Sequence, residues 1–94
     1  MDKYQEEERL CGLVCATNND RELCKLLNGI HDSNLLARCV RRAKSDYIRE
    51  ACIARIDDFD VLRQLLGENY DPRIRNKIRT RTRDLYYKKY GKIL

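Results

Sequence analysis

IHDSNLLARCVRRAKSDYIREACIAR (residues 30–55) and IDDFDVLRQLLGENYDPRIRNKIRTR (residues 56–81) align over their full length without a gap. Six positions are identical: Ile30/Ile56, Asp32/Asp58, Leu36/Leu62, Ile48/Ile74, Arg49/Arg75 and Arg55/Arg81. Leu35/Val61, Cys39/Leu65, Val40/Leu66 and Cys52/Ile78 agree in apolar class, so the match preserves a buried pattern as well as letters. Moving back by the same 26 residues brings Leu10, Leu13, Val14, Asn19, Asp20 and Leu26 to the matching places. The chain therefore reads as a single domain of three copies, at about 4–29, 30–55 and 56–81, followed by a basic C-terminal extension over 82–94.

The apolar residues fall at three- and four-residue spacing in clusters about two turns long, such as Leu23, Leu26 and Leu27 or Leu62, Leu65 and Leu66. That is helical periodicity. Asn19 with Glu22 three residues on, Ser45 before Asp46, and Asp71 before Pro72 are start signals for the second helix of each copy. Asp32 and Asp58 stand just before the first helix of copies two and three, and Gly29 and Gly67 are helix stops. Six helices are predicted, the last running through Leu85 towards Tyr90. A helix pair this short cannot bury its apolar stripe alone and must stack on the next, which predicts an all-α fold: a small right-handed α-solenoid of three helix pairs.

SDYIREA (45–51) and YDPRIRNKI (70–78) resemble the D-P-x-V-R-x-x-A start of the inner helix in HEAT-like repeats and in the short repeats of leucine-rich-variant proteins. The resemblance covers roughly residues 9–82. The 26-residue period is shorter than the ~40–47 residues of a HEAT unit and leans towards the variant repeats, whose first helix is abbreviated. The resemblance implies that Ile48 and Ile74 are core. It implies that Arg49 and Arg75 brace one repeat against the next, with Asp32, Asp57 or Asp58 as acceptors.

The composition, 43% hydrophobic and 37% charged, suits a chain rich in exposed amphipathic helix. No apolar run approaches the ~20 residues of a membrane span, and the acidic stretch DKYQEEER lacks the character of a signal peptide. A soluble, cytoplasmic protein with no membrane contact is expected. Five cysteines, an odd number, argue against a disulfide framework. Cys39 and Cys52 take the places of Leu65 and Ile78, so buried thiols are expected, with no metal or cofactor. Cys11, Cys15 and Cys24 are the only triple with any metal-binding logic. His31 is the sole histidine and has no nucleophile or acid placed around it, so no enzymatic activity is expected. Asp57, Asp58 and Asp60 cluster at a helix start, where carboxylates serve as caps.

Residues 1–72 hold eleven Lys/Arg against fourteen Asp/Glu, whereas residues 73–94 hold nine against one. Within YDPRIRNKIRTRTR a basic residue recurs at every second position, but copy two keeps the isoleucine and arginines at helix positions without that alternation. On a helix, Ile74, Ile78, Thr82 and Leu85 make one stripe; Arg75, Arg79 and Arg83 flank one side, and Arg73, Lys77, Arg81 and Lys88 the other. Subtracting Arg75 as a brace leaves Lys77, Arg79, Arg83, Tyr86, Tyr87, Lys88, Lys89 and Tyr90 as the binding candidates. The reading is a non-catalytic protein-interaction module, an adaptor, subunit or inhibitor of a host machine, that meets an acidic partner surface. The alternative is nucleic acid, with phosphates on the same helix and Tyr for stacking. Homo-oligomers joined end to end are also compatible with this charge distribution.

Overall fold

A short polar side chain can take up backbone N–H groups that a helix itself leaves unpaired at its start. The computed structural model describes residues 3–91, and among them lie six helices, α1 (Lys3–Ala16), α2 (Asp20–Asn28), α3 (Ser33–Arg42), α4 (Asp46–Ile53), α5 (Phe59–Leu66) and α6 (Pro72–Tyr90), of which α2 to α6 each follow such a cap. Asn19 accepts from the amides of Arg21 and Glu22, Asp32 from Asn34 and Leu35, and Asp58 from Asp60 and Val61. Ser45 accepts from Ile48, and Asp71 from Ile74 with Pro72 opening α6. Gly29 and Gly67 follow the last residues of α2 and α5, both in right-handed conformation. At Gly29 the reason for glycine is space, since a Cβ would stand 2.7 Å from Leu10 Cδ1 on α1. Gly91 closes α6 in the left-handed region, φ 67°, where glycine carries no steric cost.

Consecutive helices pack on one another, α1 on α2, α3 on α4 and α5 on α6; α3 also lies against both α1 and α5, and α4 against α6. The central position of α3 shows in its burial: Ser33, Leu35, Leu36, Ala37, Cys39 and Val40 are all enclosed. The outer helices are covered on one side only. On α1 the buried residues are Glu7, Cys11 and Val14, while Leu13 is 43% exposed. Leu13 was expected inside with Leu10 and Val14; it corresponds to Cys39, which faces back towards α1, and among the described residues no helix covers α1 on that side. The α5 pattern is the mirror image, with Val61, Leu62 and Leu65 buried and Phe59, Arg63 and Leu66 on the less covered side.

One position of the repeat links neighbouring copies. Glu7 Oε1 accepts from the backbone amides of His31 (2.6 Å) and Asp32 (3.0 Å). Twenty-six residues on, Ser33 Oγ donates to Asp57 Oδ1 (2.9 Å) and accepts from the Asp57 amide (3.3 Å). Further links run from Arg55 to Asn28 Oδ1 (2.8 Å), from Arg41 to Glu68 (2.8 Å) and from Arg73 to Glu50 (3.1 Å). Arg49 and Arg75 act within their own copies. Arg49 donates to the Ala43 carbonyl (2.7 Å) and to Asp46 (2.9 Å), and Arg75 to the carbonyls of Leu66 (3.1 Å) and Glu68 (3.4 Å). Each guanidinium sits one turn into its helix, beside carbonyls at the end of the preceding helix that have no partner along the chain. Asp32 and Asp58 are helix caps, and it is Asp57 that reaches across to the earlier copy.

Ile48, Ile74, Cys52 and Ile78 are buried, and no described helix is long and apolar enough to cross a membrane. Ile78→Ala should lower the unfolding free energy by about 2–5 kcal/mol through the cavity it leaves. Urea denaturation measures this, and Tyr47→Ala, at an exposed site, should move it by no more than about 0.5 kcal/mol. The Glu7 carboxyl is held below the usual range by its bonds from the His31 and Asp32 amides, against the opposing effect of burial. A depressed native value means that its contribution is complete above the unfolded group's titration near pH ~4.3 and is lost as pH falls through the native value. Glu7→Gln should therefore flatten the acid side of the stability profile below about pH 4.3, read from urea midpoints; equal slopes in both proteins would exclude a charged link.

Candidate partner-binding surface

The cationic residues of α6 divide into engaged and free. Arg73 pairs with Glu50, Arg75 closes the α5–α6 linker, and Arg81 Nε donates to the Ile56 carbonyl at 2.7 Å. Lys77, Arg79, Arg83 and Lys88 make no hydrogen bond or ion pair among the described residues. Arg79, Arg83 and Lys88 are exposed, and Lys77 is half-buried. Lys92, which the sequence groups with them, lies outside the described residues.

The tyrosines do not form one surface. Tyr86 turns onto α5, its ring 6.5 Å from that of Phe59 in an edge-on arrangement, and Tyr90 stacks beside it at 4.7 Å. Lys89 Nζ stands 5.8 Å from the Phe59 ring and 5.6 Å from the Tyr90 ring, within reach of a cation–π attraction. Phe59, Arg63, Leu66, Thr82, Tyr86 and Tyr90 together line an open groove of about 390 Å³ between α5 and α6. Tyr87 and Lys88 belong to a different depression, shared with Arg81, Arg83 and Asp84.

The repeat register explains what this groove is. Phe59 stands where Glu7 and Ser33 hook the following copy, and Leu66 where Val14 and Val40 are buried. Arg63 replaces the buried Cys11 and Ala37, and Arg79 replaces the buried Leu27 and Ile53. The side of each copy that packs on the next is thus repeated after Leu66, but two of its apolar positions have become arginine. An apolar floor of Phe59, Leu66 and Tyr86 is left beside Arg63. Composition and charge run led to Arg79, Arg83, Tyr86 and Tyr90 but not to Phe59, Arg63 or Leu66. Their signal was available as a polar-to-aromatic change at 7/33/59 and apolar-to-arginine changes at 11/37/63 and 27/53/79.

His31 is exposed, and its backbone amide is engaged by Glu7. Asp58 caps α5, Asp60 pairs with Arg63 at 2.8 Å, and Asp57 is bonded to Ser33. The cysteines depart from expectation. Cys11 and Cys39 bring their sulfurs together across α1 and α3 with Cα atoms 5.8 Å apart, the spacing of a disulfide-bonded pair, where no disulfide was expected. The pairing arises because Cys39 faces α1 rather than the middle of its own helix pair. Cys15 donates its thiol to the Cys39 carbonyl at 3.7 Å, and Cys24 is exposed and apart from them.

No family model matches the chain, and no curated protein or solved structure shows significant similarity to it.

The free thiols should differ sharply in reactivity. Burial pushes the Cys52 thiol up to about 12, so it is both protonated and covered in the folded protein. With a small disulfide reagent at neutral pH, the exposed Cys24 should react first and Cys52 only on addition of denaturant, as followed by mass spectrometry of the modified peptides. Early labelling of Cys52 would contradict its placement in the core.

Proposed function

We propose that this chain is a non-catalytic protein-interaction module. It is read as a short HEAT-like solenoid of three units whose last unit presents a basic, partly apolar face to an acidic partner. The observation that carries the reading is the groove lined by Phe59, Arg63, Leu66, Thr82, Tyr86 and Tyr90, formed in part by the helix that also bears the exposed, unpartnered Arg79 and Arg83. In a stack of repeats this is the side on which a further unit would sit. An element with an apolar ridge and flanking carboxylates complements it: the ridge fills the groove, and Arg63, Arg79 and Arg83 meet the acids. Aromatic and arginine anchors of this kind carry much of the binding energy at protein interfaces.

The groove favours a protein over nucleic acid as the ligand. Phosphate recognition asks for a cationic track and exposed aromatic faces, whereas here Tyr86 is packed edge-on against Phe59 and the free cations of α6 are divided between two flanks. Binding by charge and shape needs no cofactor, and the rigid helices hold the arginines in fixed register.

Capture from extract of the source cells, with the chain immobilised, tests this reading. The partner recovered by the wild-type protein should be lost, by at least tenfold, with Arg79→Glu plus Arg83→Glu and with Phe59→Ala. Lys77→Glu, on the other flank, should retain it. Recovery unchanged by the first pair means the surface is wrong. A shift of labelled duplex or RNA at low salt, with a salt slope reduced by the same pair, would replace the protein reading by the nucleic-acid one.

A further inference from the structure

Three cysteines from two helices come together in the core. Cys11 and Cys15, one turn apart on α1, and Cys39 on α3 place their sulfur atoms within 4.8 Å of one another. Cys24 stands apart, exposed on α2. Packing does not demand sulfur at these sites: Leu65 fills the place of Cys39 in the next copy, and Ala37 that of Cys11.

We propose that Cys11, Cys15 and Cys39 form a three-sulfur binding site for a divalent thiophilic cation of the zinc class. Such an ion takes thiolates at about 2.3 Å in a tetrahedron, which sets the sulfurs about 3.8 Å apart. Cys11 and Cys39 touch in the structure and need only rotate their side chains away from each other, with Cα atoms 5.8 Å apart. Cys15 has its sulfur within 4.8 Å of both, a small side-chain adjustment from that spacing. Access is provided by a cleft of about 230 Å³ lined by Cys15, Ala16, Leu23, Lys44 and Tyr47 among others. Three protein ligands leave a fourth position for a water molecule. Binding displaces the thiol protons to solvent and transfers no electrons; the metal itself makes the ligand thiols anionic. The ion would pin α1 to α3, fastening the first copy to the second. A disulfide between Cys11 and Cys39 removes two ligands, so the paired-sulfur and metal-bound forms exclude each other.

Titration of the reduced chain with Co(II), followed by displacement with Zn(II), tests the site. The expected result is one equivalent bound, with thiolate charge-transfer bands and the intense visible bands of a tetrahedral centre, and a rise in the thermal midpoint. Cys15→Ser, at a half-buried position, should weaken binding at least tenfold while circular dichroism shows the helices intact. Cys24→Ser should change nothing, and the chain oxidised at Cys11–Cys39 should bind no metal. Absence of tetrahedral bands in the folded, reduced protein would overturn the proposal, as would equal loss in Cys24→Ser and Cys15→Ser, which would mark adventitious binding at exposed thiols.

Discussion

The arrangement depends on a polar side chain near the start of a helix that satisfies the backbone leading into the next copy. Glu7 does this with a carboxylate and the amides of His31 and Asp32; Ser33 does it with a hydroxyl and both the amide and carboxylate of Asp57. Buried or half-buried amides at a chain reversal cost free energy unless they are paired. A side chain that pairs them also fixes how far one copy can slide on its neighbour. Apolar packing has no comparable register, because leucine, valine and isoleucine fill neighbouring slots with similar energy. The hydrogen bonds specify the offset, and the apolar positions supply the burial. Phe59 ends the series: the same position carries an aromatic ring, and the ring is met by Tyr86 and Lys89 of the same chain.

Much of this was legible in the sequence because helix capping is local. Asn19, Asp32, Ser45, Asp58 and Asp71 each precede a helix by one residue, and each accepts the amides that the spacing predicts. The 26-residue offset also located the buried isoleucines and cysteines of the second and third copies. Leu13 was misplaced because the offset treats every copy as internal, whereas α1 has a neighbour on one side only. The roles of Arg49 and Arg75 were misread for a related reason. A long guanidinium can reach a carbonyl in its own linker as easily as a carboxylate in the next copy, and periodicity does not distinguish the two. The Cys11–Cys39 approach was illegible because it depends on which side of α3 faces α1.

Position-by-position comparison of the copies also separates structural charge from available charge. Arg81 and Arg75 bond to backbone carbonyls, so their charge is partly spent inside the protein, whereas Arg79 occupies a slot that holds Leu27 and Ile53 in the earlier copies. An exposed cation on the outside of any helix is unremarkable. A cation on the face that would otherwise bury the next unit alters what that face can accept, because covering it requires an acidic or hydrogen-bonding partner. At 63 and 79 arginine therefore stands where the earlier copies carry buried apolar side chains.

The two ends of the chain therefore solve opposite problems. At the α5–α6 end the exposed side of the repeat is rendered amphipathic by Phe59, Leu66 and Tyr86 beside Arg63. At the α1 end the buried residues of the helix are Glu7, Cys11 and Val14. Its attachment to α3 combines the Glu7 carboxylate, which accepts from the amides of His31 and Asp32, with the sulfur contacts of Cys11 and Cys15. Sulfur and carboxylate contacts thus mark one end and aromatic and cationic groups the other, and the two sets share no residue.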